Sequence, residues 1–186
     1  VTLARKRLRE KFFGAHPLAL DPHGDQAGVK ALTPADLASL HRRLCVGSNV
    51  VLAVAGDFDP RTLTVKLKRF LARIPKAKTV AARWEQDTVQ ALPAIAGDFI
   101  EVQPREQAVV LQGFPGPRVN SADFYASEVI DELFSGMASR LFERVREEKG
   151  LAYFVRSGRV TGLDAGMFYF VAGTQPGREG EVLAEI

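Results

Sequence analysis

Two apolar runs, residues 152–160 and 166–173, are separated only by a short turn containing Gly162-Leu163-Asp164. Parallel strands need a crossover of a dozen residues or more, so strands this close in sequence pair antiparallel. Helical and strand-like periodicities are mixed along the rest of the chain. That combination predicts an α+β protein with antiparallel-rich sheets flanked by helices, not a doubly wound parallel sheet.

The remaining elements follow from local signals. Leu3, Leu8, Phe12 and Phe13 give residues 3–13 a helical stripe that ends near Gly14. Residues 15–31 read as a loop punctuated by His16-Pro17, Asp21-Pro22 and His23-Gly24. Thr33-Pro34-Ala35-Asp36 carries a capping hydroxyl, a first-turn proline and an acid three residues on, and so opens a helix bearing Leu37, Leu40 and Leu44. Residues 50–58, VVLAVAGDF, form a β-branched apolar run expected to be a buried strand. Asp59-Pro60 caps a further helix with Leu63, Leu67, Phe70, Leu71 and Ile74 at helical spacing. Residues 75–96 read as a polar connector. Strands are expected at 98–102 and 107–113, followed by a turn at Phe114-Pro115-Gly116-Pro117. A helix over 122–134 is expected to place Tyr125, Val129, Leu133 and Phe134 on one side. A shorter helix over 138–149 turns Leu141, Phe142 and Val145 inward and closes at Gly150, and the last residues begin another helix.

Composition excludes several classes. With 46% hydrophobic and 25% charged residues in 186, the chain is globular and long enough to bury a core without disulfides or a structural metal. Its longest apolar run, residues 50–55, falls far short of the roughly 20 residues of a membrane span. The net charge is only +3, and bases alternate with acids through 140–149, which argues against nucleic acid as a partner. Cys45, the only cysteine, permits no intramolecular disulfide and is expected to be buried beside Leu44 and Val46. Val1 without a preceding Met, and a last segment that stops within a rising helix, suggest an internal piece of a longer polypeptide.

Few residues suggest chemistry. His16, His23 and His41 are not spaced to present two imidazoles on one face, so no metal site is expected, and the two in the turn-rich loop read as surface residues. No nucleotide-binding glycine motif is present. The segment Ser135-Gly136-Met137-Ala138-Ser139 precedes a helix N-terminus that could meet an anion or peptide carbonyl; alternatively, Ser139 simply caps the helix. Arg146, in the last turn of that helix, and Tyr153, at the start of the next strand, could be brought together at one end of the sheet. There the arginine would bind peptide carbonyls and the phenol stabilise an oxyanion, whereas on composition alone Arg146 belongs to a solvated helix face.

Taken in order, His16-Pro17, Gly28, residues 32–37 (LTPADL), 48–57 (SNVVLAVAGD), 113–117 (GFPGP), 136–142 (GMASRLF), 145–153 (VREEKGLAY), Asp164-Ala165-Gly166 and Ala172-Gly173-Thr174 resemble the insulinase/pitrilysin family of zinc metallopeptidases, the type that includes the mitochondrial processing peptidase. The resemblance implies two homologous α+β domains. Residues 1–74 would end the first, 75–90 connect, and 91–186 begin the second. It implies zinc on an inverted H-x-x-E-H helix plus a later glutamate, all upstream of Val1, with no metal ligand in this chain. It further implies that Arg146 and Tyr153 hold the substrate backbone, with Tyr153 near the scissile carbonyl, and that Gly136 and Ser139 contribute to substrate binding. The expected function is part of a zinc-dependent endopeptidase acting on peptides or unfolded segments, this piece alone being inactive. The alternatives are a non-catalytic partner that completes a zinc-bearing subunit's site, or a structural core-type subunit. Expected partners are a peptide substrate and a second subunit, in a homodimer or a heterodimer. Family precedent favours the periplasm or cytoplasm of a bacterium.

Overall fold

The computed structural model describes residues 1–76 and 97–186, which form two compact units. One unit combines Val1–His23 with Thr88–Ile186, and the other is Gly24–Asp87. These units do not coincide with the blocks 1–74 and 91–186, because the first helix packs with the C-terminal part of the chain. The expected connector lies almost wholly outside the described residues.

The larger unit is built on a three-stranded antiparallel sheet of β1 (Ala108–Gly116), β2 (Ala152–Thr161) and β3 (Gly166–Thr174), in the order β1-β3-β2. β3 is central, so both its edges are paired, and a core packs on each of its faces. Because side chains alternate along a strand, Phe168, Phe170 and Ala172 point to one core while Met167 and Tyr169 point to the other. That explains why β3 is almost continuously apolar rather than alternating.

The first core joins Val110, Val155, Phe170 and Ala172 of the sheet to Leu141, Val145, Leu151 and Val182. On the opposite face Phe13, at the end of α1 (Thr2–Phe13), is fully buried with Met167 and Ala165, and Leu8 and Phe12 pack beside them. Burying one such phenylalanine stabilises the fold by about 1.5–3 kcal/mol.

In the Gly24–Asp87 unit the helix-start signals form as read. Asp25 caps a short helix, α2 (Gln26–Ala31), where the turn signals of the sequence predict a loop. Thr33 and Asp36 form a full capping box at α3 (Pro34–Leu44), and the Asp59 carboxylate accepts from the Arg61 and Thr62 amides at α4 (Pro60–Leu71). Leu63, Leu67, Leu71 and Ile74 are half-buried, but Phe70 is exposed.

Several expectations are corrected. Residues 50–58 and 98–102 are not strands; Val51, Ile100 and Val102 are each at least 90% exposed. A strand is stabilised by an adjacent ladder, and among the described residues neither segment has one. β1 continues to Gly116, so Phe114-Pro115-Gly116 belong to the strand and not to a turn. Cys45 is exposed at the end of α3. His16 is buried, not on the surface.

Helix α5 (Phe124–Phe134) also turns its other side inward: Tyr125, Val129 and Leu133 face solvent, while Phe124, Ser127, Asp131 and Phe134 line the covered side. The reason lies in β2. Ser157 donates to Asp131 Oδ1 (2.5 Å), and Arg159 donates to Ser127 Oγ (3.0 Å) and Glu128 Oε1 (3.0 Å). A purely apolar helix face would leave these groups unsatisfied.

Candidate functional site

The segment from Ser135 to Tyr153 forms one continuous structure on the first core face. Ser135 Oγ lies 2.8 Å from Ser157 Oγ, which anchors the loop to the sheet. Gly136 follows at φ +87°, in the left-handed region that favours glycine, and is exposed. Ser139 is buried and its Oγ accepts from the Phe142 amide (3.2 Å), so its hydroxyl serves as a helix cap.

Beyond that cap the backbone winds as a π-helix over Phe142–Glu148, where an ordinary α-helix was expected. Leu141 and Val145 point inward as read, Val145 being completely buried. π-Helical turns are rare and concentrate at functional positions. This one carries Arg146. The Arg146 guanidinium lies over the Phe142 ring, 4.7 Å from its centroid, with Glu147 Oε1 3.7 Å from Nε. The ring fixes one side of the guanidinium while the group stays open to solvent.

The π-helix ends at Gly150, whose φ of +57° reverses the chain. Gly150 N–H donates to Arg146 O (3.1 Å) and Leu151 N–H to Val145 O (2.8 Å). Both termini of the element are therefore tied, one by the Ser139 cap and the other by the glycine turn.

Tyr153 sits three residues beyond Gly150, at a second irregularity. Ala152 pairs with Thr174, and the next paired residue, Phe154, pairs with Gly173. Tyr153 is thus the extra residue of a β-bulge, and its side chain is 53% exposed. Bulges re-aim side chains and recur beside active sites. Arg146 and Tyr153 therefore flank the tied Gly150 turn, one in the π-helix before it and the other on the bulge after it, each on its own departure from regular geometry. Neither departure has a local signature that the sequence reading could use.

The electrostatic setting comes from α6 (Glu179–Glu185). The Glu185 carboxylate accepts from Lys149 Nζ and from Arg144 Nε (2.7 Å), and these bonds, that to Lys149 foremost, hold its pKa below the usual glutamate value. Two of the bases around Arg146 are thereby engaged, and Arg146 itself is left facing outward.

Thr174 was not singled out for a role of its own. It is fully buried, and its hydroxyl donates to Leu151 O (2.6 Å). A usable signal existed: period-two alternation puts residue 174 on the same face as Phe170 and Ala172, and a hydroxyl sent into a core must find a partner.

As for metals, no group of three or more His, Cys, Asp or Glu suited to an ion occurs among the described residues. His16 is engaged at both ring nitrogens, His23 bonds Asp21, and His41 lies in the other unit. Among the described residues no such donor set is presented to zinc.

The family described as the peptidase M16 inactive domain matches residues 31–186, and the chain belongs to that family. A protein of Mycobacterium leprae described as an uncharacterized zinc protease is 30% identical over 177 residues, covering 94% of this chain and 39% of the relative. Among solved structures, a peptidase M16 inactive domain from Pseudomonas fluorescens superposes with TM-score 0.72 at 24% identity, covering 98% of this chain and 45% of the other. A conserved protein from Enterococcus faecalis gives TM-score 0.77 at 22% identity, covering 99% and 43%. The chain therefore spans about two fifths of the length of the proteins it resembles, and the shared fold is the α+β arrangement expected from sequence.

Proposed function

We propose that this chain is the substrate-gripping part of a zinc-dependent metalloendopeptidase, with Arg146 and Tyr153 as the residues that hold the peptide. The observation that carries the reading is that both residues flank one tied turn of an M16-family domain, one in a π-helix and the other on a β-bulge. In this proposal the Arg146 guanidinium donates to substrate carbonyl oxygens, its planar fork already stacked on Phe142. The Tyr153 hydroxyl donates to the scissile carbonyl oxygen as negative charge develops there. Gly136 offers exposed backbone beside the substrate, and Ser139 contributes by capping the helix that carries Arg146. In this reading zinc is held by residues outside the described ones, among which no group suited to an ion occurs.

A second reading has a specific observation in its favour, the family's description as an inactive domain. In it the chain belongs to a non-catalytic subunit that binds peptide and completes the site of a related, metal-bearing partner. Arg146 and Tyr153 keep the same task in both readings.

The test is kinetic, in the full-length protein with an internally quenched mixture of unstructured peptides. Tyr153→Phe is expected to lower kcat by about 10²-fold with little change in KM, the signature of a lost transition-state donor. Arg146→Ala is expected to act mainly through KM. Unchanged turnover in Tyr153→Phe overturns the role.

A further inference from the structure

We infer that Thr174 is a positioning residue for the Arg146/Tyr153 pair, acting through the peptide of Leu151; this rests on the function proposed above. Thr174 lies at the end of the central strand, paired to Ala108 of β1 on one side and Ala152 of β2 on the other, so its backbone is held from both directions. Its buried hydroxyl donates to Leu151 O at 2.6 Å, and the N–H of Leu151 donates to Val145 O at 2.8 Å. A single hydrogen-bonded chain thus runs from β3, through Leu151, to the residue preceding Arg146.

The same contact anchors the chain just before the bulge at Tyr153. The anchor just after it is Phe154, whose ring covers Gly173: a Cβ at residue 173 would lie 2.3 Å from Phe154 Cε1. Tyr153, unpaired and half-exposed, therefore hangs between two fixed points supplied by the consecutive residues Gly173 and Thr174. Without the Thr174 hydroxyl the buried carbonyl of Leu151 loses its partner, and the backbone between Arg146 and Tyr153 loses one of the bonds that fix it. A displacement of about 1 Å at a positioned group can cost on the order of 10²-fold in rate.

The experiment uses the full-length protein and the same quenched peptide mixture. Thr174→Val keeps the shape and removes the hydroxyl, whereas Thr174→Ser keeps the hydroxyl. Thr174→Val is expected to lower kcat at least tenfold with native near-ultraviolet circular dichroism, and Thr174→Ser to restore it to within about twofold. Because Thr174 acts through Tyr153, the double variant Thr174→Val/Tyr153→Phe is expected to be no slower than Tyr153→Phe alone, a non-additivity that a merely structural hydroxyl would not produce. Wild-type kcat in a folded Thr174→Val protein, or additive losses in the double variant, overturns the inference while leaving the Arg146/Tyr153 reading intact. If Tyr153→Phe itself is silent, that reading falls and the positioning role falls with it. Should Thr174→Val not fold, Gly173→Ala, which displaces Phe154 on the far side of the bulge, is expected to reproduce the loss; wild-type kcat there overturns the inference.

Discussion

At the scale of single residues, His16 shows how a side chain is committed by its partners. Its Nδ1 accepts from the Leu18 amide (3.0 Å), so the ring proton sits on Nε2, which donates to Asp164 Oδ2 (3.1 Å). The ring also lies 5.8 Å from that of Phe13. In this way His16, three residues beyond the end of α1, is fastened to the turn between β2 and β3. His16→Ala removes both bonds and leaves the Leu18 amide and the partly buried Asp164 carboxylate without this partner. The expected cost is about 1–2 kcal/mol, read as a lower urea midpoint at unchanged slope for the 186-residue chain. An unchanged midpoint would show that water replaces the ring at no cost.

Among elements, the pairing of α6 with the π-helix has a defined pH dependence. Glu185 is held ionised by Lys149 and Arg144, so its folded pKa lies below the unfolded one. A carboxylate with a depressed folded pKa contributes stability that is fully present above the unfolded value, about 4.3, and is lost as pH falls through the folded value. Amide exchange protection at Val182, the fully buried residue of α6, is therefore expected to be flat from neutral pH to about 5 and to decline below about 4. In Glu185→Gln that decline should be smaller, the remainder coming from Glu181, whose bond to Arg178 also lowers its pKa. The α5 helix makes the complementary point: its covered side is chosen by the polar partners Ser157 and Arg159, not by its most apolar stripe.

For the molecule as a whole, the decisive feature is how much apolar surface remains in contact with water. The α3 face of Leu37, Leu40 and Leu44 is about half-exposed, and Val51 and Ile100 are almost fully so. Monomeric proteins rarely leave apolar area on this scale in contact with water. The chain matches only about two fifths of its relatives' length, and no group of donors suited to an ion occurs among the described residues. Elemental analysis after dialysis is therefore expected to find no stoichiometric zinc on the 186-residue chain and about one zinc per full-length protein. A zinc-free full-length protein would instead favour the partner-subunit reading.

Much of this organisation was legible in the residues alone. The Thr33 and Asp59 caps, the β2–β3 hairpin and the Gly150 turn are each specified within a few positions, because a helix end or a tight turn satisfies its hydrogen bonds locally. The family, and with it the candidates Arg146 and Tyr153, was readable for the same reason: the motif from Gly136 to Tyr153 is contiguous. Residues 50–58 and 98–102 have strand composition but no ladder among the described residues, and a strand's bonds must come from elsewhere in the chain. The burial of His16, the inward side of α5, the bulge at Tyr153 and the hold of Thr174 on Leu151 likewise depend on residues brought close only by folding. The chain's own sequence determined which local elements and which two side chains to consider. Tertiary structure alone decided where those side chains are aimed, because aim is set by hydrogen bonds between residues distant in sequence.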